Sequence, residues 1–313
     1  MLRNELPQDA TLEEVQAHMC DYIDKAKVTK ASVARSLNIN EGRFNSFLTG
    51  KYPGDNEPLR KMSIQYLNLR LRRLELKKLD LKFFDTAQAL NVKAVSKMVQ
   101  LHRTMGVLYG NAGIGKTRSL EEFTRENTNV HMVTAYHSIT ALDLMQLICS
   151  ALKVEAKGLD GTKMLAIIRT LENTDKTLIV DEAHHLTLKN LEKIRAIHDA
   201  ANIGIILSSS SELIERMTGR KKHEYDQIFS RISIRREIKS GVTQKDIKGI
   251  LESSDISYDQ KMLDFCFGIA KKQGHYRTLR NVLQHATDLS NQNGKEMGLN
   301  VLRQAETMAF SVD

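Results

Sequence analysis

The chain has 313 residues, of which 41% are hydrophobic and 27% charged, with no tryptophan, three prolines and a net charge of +8. That length supports a core of ordinary size with satellite domains and needs no disulfide or metal staple, and the low proline count favours a helix-rich fold with short connections. No apolar run is long enough to span a bilayer and the first residues mix charges, which excludes the membrane classes and predicts a cytoplasmic protein.

The cysteines Cys20, Cys149 and Cys266 are scattered and odd in number, so they are read as reduced thiols and not as zinc ligands or a disulfide framework. Residues 1–105 hold 18 Lys/Arg against 12 Asp/Glu, a surplus of +6, whereas the rest of the chain is close to neutral. A polyanion would meet the N-terminal third first; a solvated basic surface with no partner is the competing reading.

In chain order, residues 11–23 form an amphipathic helix with Leu12, Val15, Met19 and Ile23 on one face. Thr29 caps a short helix carrying Val33, Ala34 and Leu37, Asn38-Ile39-Asn40 turns the chain, and Glu41 to Leu48 restarts a helix with Phe44, Phe47 and Leu48 inward. Two short helices with a tight turn have the helix-turn-helix geometry, which leaves Asn40, Gly42, Arg43, Asn45 and Ser46 outward as DNA-contact candidates. Pro58 to about Lys82 reads as one long basic helix closing a domain over residues 1–80, and residues 81–105 read as a linker with a helix that packs on the next domain. Lys157 and Lys163 are further DNA-contact candidates.

From residue 106 the rhythm changes to short apolar strands alternating with helices, the pattern of a mostly parallel sheet covered on both faces. The strands are Gly106–Tyr109, Val130–Thr134, Thr177–Val180, Ile203–Leu207 and Ile232–Ile234, within a domain over residues 106–238. Beyond it the periodicity is helical only, which predicts a small C-terminal bundle over residues 239–313.

Gly110-Asn111-Ala112-Gly113-Ile114-Gly115-Lys116-Thr117 fits the phosphate-loop pattern, lies between a strand and a helix, and predicts nucleotide binding by residues 110–118, Arg118 included. Glycines let backbone N–H groups close on phosphate, Lys116 supplies charge to the β- and γ-phosphates, and the Thr117 hydroxyl is a ligand for Mg²⁺. Asp181 and Glu182 end an apolar strand; Asp181 would serve the metal and Glu182 the attacking water as general base, which makes the chain an ATPase. His184 and His185 are treated as local polar residues, since neighbours in sequence do not share a helix face. Ser210 is a candidate γ-phosphate sensor, with helix capping as its rival role. Arg231, closing a basic loop-like stretch, is a candidate finger for a neighbouring subunit, with a surface or DNA-contacting charge as its rival role and Arg235 or Arg236 as substitutes, and Arg277 could fold back over the nucleotide.

With those residues in place, nearly the whole chain resembles the phage Mu B transposition proteins, AAA+ ATPases of Mu-like phages and prophages. The stretches that carry the resemblance are Ser46 to Glu57, the loop Gly110 to Thr117, Asp181-Glu182-Ala183-His184-His185-Leu186 and Ile228-Phe229-Ser230-Arg231-Ile232. The resemblance implies an α/β P-loop AAA+ core with an N-terminal helix-turn-helix domain and a C-terminal helical bundle. It also implies ATP and Mg²⁺ as cofactors, ATP-dependent helical self-assembly on double-stranded DNA without strong sequence preference, and stimulation of a transposase. By position it assigns Arg231 as the finger and Arg277 as the second sensor. Ser210 departs from the asparagine typical of such proteins. Two other readings share some of these features: a helicase loader or replication initiator, and an ATP-responsive helix-turn-helix transcription regulator.

Overall fold

A computed structural model describes residues 5–75, 79–220, 222–239, 241–294 and 296–310. Two compact units are distinguished, one comprising residues 1–78 with 291–294, the other residues 79–290 with 295–313.

The first unit is helical. Helix α1 (Leu12–Ala26) opens on a Thr11–Glu14 capping box, α2 (Lys30–Ser36) on Thr29 and α3 (Glu41–Leu48) on Asn40, whose side chain accepts from the Arg43 N–H at 2.7 Å. These caps satisfy N–H groups that the first helical turn leaves without partners. Helix α4 (Glu57–Glu75) lays Leu59, Ile64 and Leu67 onto Val15, Met19, Val33, Phe44 and Phe47, all of them buried. The Asn68 side chain brackets the Leu6 backbone with two hydrogen bonds of 2.8 Å, tying the start of the chain to α4.

The expected helix to Lys82 is corrected here. The described part of α4 ends at Glu75, and residues 79–86 are not helical. Leu79 and Leu81 pack against a cluster of C-terminal side chains instead of extending a helical face, so their apolar character serves tertiary packing.

In the second unit, helix α5 (Ala87–His102) leads into strand β1 (Met105–Tyr109), α6 (Lys116–Glu126), β2 (Val130–Thr134), α7 (Ala141–Leu152), α8 (Asp160–Leu171), β3 (Thr177–Asp181), α9 (Leu188–Ala201), β4 (Gly204–Ser209), α10 (Ser211–Thr218), α11 (Lys222–Arg231) and β5 (Ile232–Glu237). The five strands are all parallel in the order β2-β3-β4-β1-β5. Side chains alternate across a strand, and here both faces are apolar. Val107, Leu178, Val180, Ile205 and Leu207 meet α7, α8, α9 and α11, whereas Leu108, Ile179 and Ile206 meet Val92, Val95 and Val99 of α5 and Leu120 and Phe123 of α6. Helix α5, anticipated within the 81–105 connector, is therefore part of the sheet's cover. Residues 222–231, read as loop-like, form α11, which buries Tyr225 and Ile228.

Helices α12 (Gln244–Ser253), α13 (Gln260–Lys271), α14 (His275–Asn293) and α15 (Leu299–Phe310) share a core that includes Ile247, Leu263, Cys266, Leu283 and Leu302. No helix among the described residues is long and apolar enough to cross a membrane.

Candidate nucleotide-binding site

Strand order decides where the chemistry gathers. Register pairs Tyr109 with Ser209, Val180 with Leu207 and Thr134 with Asp181, so the carboxyl ends of β1, β3 and β4 lie side by side. Between β1 and β2 the chain crosses over two strands, and crevices outside the carboxyl ends of strands at such switch points are where open α/β sheets hold ligands.

The loop after β1 is built for a close backbone approach. Gly110, Gly113 and Gly115 adopt φ of 149°, 82° and 96°, in the region that disfavours side chains. A Cβ on Gly113 would lie 2.0 Å from the Gly274 carbonyl oxygen, and the Tyr276 N–H donates to the Gly113 carbonyl at 3.1 Å, so the turn into α14 braces the loop from outside. The Lys116 ammonium donates to the Gly110 and Asn111 carbonyls at 2.7 and 2.9 Å. Burial lowers its pKa and the nearby Arg277 adds to this, while Glu182 and Asp181 pull the other way.

Thr117 donates its hydroxyl to the Asp181 carboxylate at 2.7 Å, and Asp181 is only 1% exposed. Glu182 follows in a left-handed conformation, φ 53°, and opens a short 3₁₀ turn, Ala183–His185. That backbone reversal carries its side chain out of the sheet toward the cleft, and Glu182, Lys116 and Thr117 line one cavity of about 850 Å³ with Ser210, Arg118 and Arg277. The Ser210 hydroxyl is buried without a hydrogen-bond partner and makes no side-chain cap for α10, so the rival capping role has no bond behind it here. The His184 and His185 rings lie 4.1 Å apart with their planes tilted by 44°, and both residues line the cleft; His184 Nδ1 is 3.4 Å from a Glu182 carboxylate oxygen, and burial lowers the His184 pKa.

Two family matches divide the second unit. The AAA domain family matches residues 99–217, and the family described as Mu B transposition protein, C terminal, matches residues 230–308. The chain carries an AAA domain followed by a Mu B transposition protein C-terminal domain. It is an ATPase of the AAA type. Among relatives, the ATP-dependent target DNA activator B of Escherichia phage Mu is 28% identical over 297 residues, covering 94% of each chain. The Mu-like prophage FluMu DNA transposition protein B of Haemophilus influenzae is 26% identical over 272 residues, 86% of this chain and 93% of that protein. The crystal structure of Cdc6p from Pyrobaculum aerophilum superposes with a TM-score of 0.59 over 77% of this chain and 72% of that one at 14% identity, a likeness of fold alone.

Other expected site residues lie apart from the cleft. Arg231, at the end of α11, pairs with Asp199 at 2.9 Å and does not line the cavity. Lys163 requires a correction: it is 6% exposed and its ammonium donates to the Ala156 carbonyl at 2.6 Å, because the α8 face that carries it packs inward, so it offers no free charge to DNA. Lys157 is exposed. In the first unit, the Asn40 side-chain oxygen is occupied by its capping bond, Arg43 sits 5.1 Å over the Tyr52 ring, Asn45 is exposed and accepts from Lys30 at 3.1 Å, and Ser46 is half-buried.

The sequence reading did not find one wall of the cavity. Leu81, at the end of the expected basic helix, and Phe83 and Phe84, at the start of the expected linker, line it together with Tyr276 and Arg280. The signal was available in the adjacent aromatic pair Phe83-Phe84, two apolar rings in a Lys-rich connector with no helical period to place them.

Proposed function

We propose that the protein is an ATP-dependent DNA-binding ATPase of transposition, which assembles on target DNA in the host cytoplasm and activates a transposase. The observation that carries the ATP half of this reading is the 2.7 Å bond between the Thr117 hydroxyl and the buried Asp181 carboxylate, beside Glu182 and under the glycine loop. The C-terminal domain match over residues 230–308 and the similarity to the target DNA activator of phage Mu support the DNA half.

The donor set fits a magnesium-bound triphosphate. A buried carboxylate next to a hydroxyl at the start of a helix is hard-oxygen chemistry suited to that ion. Thr117 and Asp181 would hold Mg²⁺, which supplies neutralisation of the charge on the β- and γ-phosphates. The positive-φ glycines aim backbone N–H groups at phosphate oxygens, at the positive end of α6. Lys116 exchanges the Gly110 and Asn111 carbonyls for phosphate. Glu182 accepts a proton from the attacking water, Ser210 offers its unpartnered hydroxyl to the γ-phosphate, and Arg277 reaches over from α14. The apolar wall of Leu81, Phe83 and Phe84 offers a water-poor face to the adenine ring of the nucleotide.

In this reading Arg231 leaves Asp199 and completes the site of the next copy, so that ATP supplies part of the contact between protomers and hydrolysis weakens it. Helices α2 and α3 act as a helix-turn-helix that presents Arg43, Asn45 and Ser46 to duplex DNA, the Asn40 amide nitrogen and exposed Lys157 add to the contact, and α12–α15 form a small C-terminal bundle. Many weak phosphate contacts summed along a polymer give avid, salt-sensitive and poorly sequence-specific binding.

Electron microscopy of the protein with duplex DNA and ATP at modest salt tests this. Filaments that need both the Lys116 side chain and ATP are expected. Discrete operator-like footprints without polymer would overturn the assembly reading.

A further inference from the structure

The Glu182 carboxylate hangs on a short turn that has few internal restraints. Within it the His185 N–H donates to the Glu182 carbonyl at 3.0 Å and the Leu186 N–H to the Ala183 carbonyl at 3.1 Å. A glutamate at φ 53° costs about 1 kcal/mol relative to ordinary backbone, so the turn keeps that shape only where its surroundings over-determine it. Two carbonyls that follow, those of His184 and Leu186, are both taken by one side chain. Arg216 donates from Nη2 to the His184 carbonyl at 2.7 Å and from Nη1 to the Leu186 carbonyl at 3.1 Å. A planar guanidinium that meets two acceptors at once fixes direction as well as distance, which a lysine ammonium does not.

Arg216 is itself anchored. It lies on α10 between buried Leu213 and Met217, and the residue preceding that helix is Ser210, which lines the cleft. The side chain that grips the turn behind Glu182 and the hydroxyl placed to meet the γ-phosphate therefore ride on one rigid element.

We infer that Arg216 is a positioning residue for ATP hydrolysis: by clamping the His184 and Leu186 carbonyls it aims Glu182 at the attacking water and couples that aim to α10. The inference rests on Glu182 being the general base. It assigns no contact between Arg216 and nucleotide, so binding and turnover separate.

The test compares Arg216→Ala, Arg216→Lys, Glu182→Gln and the double variant Arg216→Ala/Glu182→Gln in the full chain. Steady-state ATP turnover, equilibrium binding of a fluorescent N-methylanthraniloyl ATP and thermal unfolding are measured for each. Arg216→Ala is expected to lower kcat about 10- to 100-fold, the penalty of a base displaced by an ångström or so. Its affinity for the fluorescent nucleotide stays within about threefold of wild type, since only a transition-state interaction is lost. Arg216→Lys recovers part of the rate through one of the two carbonyls, and the double variant is no slower than Glu182→Gln alone. Three outcomes overturn the inference: wild-type turnover by Arg216→Ala, loss of affinity or melting temperature in step with the loss of rate, or a double variant slower than Glu182→Gln. A silent Arg216→Ala beside an inactive Glu182→Gln removes the positioning role alone. Wild-type turnover by Glu182→Gln removes the general base and the positioning role together.

Discussion

Replacing Gly113 by alanine probes how the phosphate loop is held before any nucleotide arrives. The new Cβ would sit 2.0 Å from the Gly274 carbonyl oxygen and 2.7 Å from its carbon, where ordinary contact begins at 3.4 Å. Both partners are backbone, so no side chain can swing aside; loop and α14 must separate, which forfeits the Tyr276 N–H bond to the Gly113 carbonyl. Left-handed backbone costs an alanine about 1–2 kcal/mol and the lost bond about 0.5–1.5 kcal/mol more, together about 1.5–3.5 kcal/mol. Gly115→Ala is the control: its φ is 96°, yet the nearest atom to a Cβ is a Tyr276 ring carbon at 3.9 Å, so only the backbone penalty applies. Thermal unfolding without nucleotide reads the difference. For a unit of this size about 1 kcal/mol corresponds to roughly 2–4 °C, so Gly113→Ala should melt lower than Gly115→Ala by that interval or more. Equal melting temperatures would refute the claim that α14 braces the loop.

Other expectations follow from the same geometry. Lys116→Ala should remove the rise in melting temperature that ATP gives the wild type, because ligand stabilisation requires binding to the folded state. Thr117→Ala takes the hydroxyl from a buried carboxylate and should cost about 1–3 kcal/mol of stability in the absence of nucleotide, measured by denaturant titration. If Arg231 serves a neighbouring copy, mixing Arg231→Ala with Lys116→Ala should restore part of the ATPase activity that each lacks alone; no recovery at any ratio would contradict an action in trans. Of the thiols, exposed Cys20 should react with a maleimide in the native chain, and buried Cys149 and Cys266 only after denaturation, as counted by mass spectrometry. Burial pushes the Cys266 thiol from an ordinary 9.0 up to about 12, so the unfolded chain releases that proton first and this contribution to stability declines as pH rises between the two values.

The parts of the site legible in the sequence are those where the chemistry is local. Gly110 to Thr117 is contiguous, and its glycines are demanded by positive φ at three positions, so the motif carries its own geometry. Asp181 and Glu182 were readable because β3 is buried on both faces and an acid pair can end such a strand only at an edge of the core. Less was legible where tertiary contact overrides local pattern. Leu79 and Leu81 continue the Leu/Lys rhythm of α4, yet they pack on the C-terminal core, and nothing in the spacing distinguishes the two. Lys163 looks like any surface lysine until α8 is docked and its ammonium finds the Ala156 carbonyl. Arg216 was out of reach for another reason: its partners are backbone carbonyls, which every residue possesses, so no pairing of side-chain types announces the clamp.

The most direct measurement is made on Glu182→Gln, with ATP binding and ATP turnover followed on the same preparation. The glutamine keeps the shape and leaves Lys116, Thr117 and Asp181 untouched, so the variant should bind ATP as the wild type does while hydrolysis falls by about 100-fold or more. Turnover at the wild-type rate, with binding intact, would mean that the acid pair at the end of β3 is not where this chain does its chemistry.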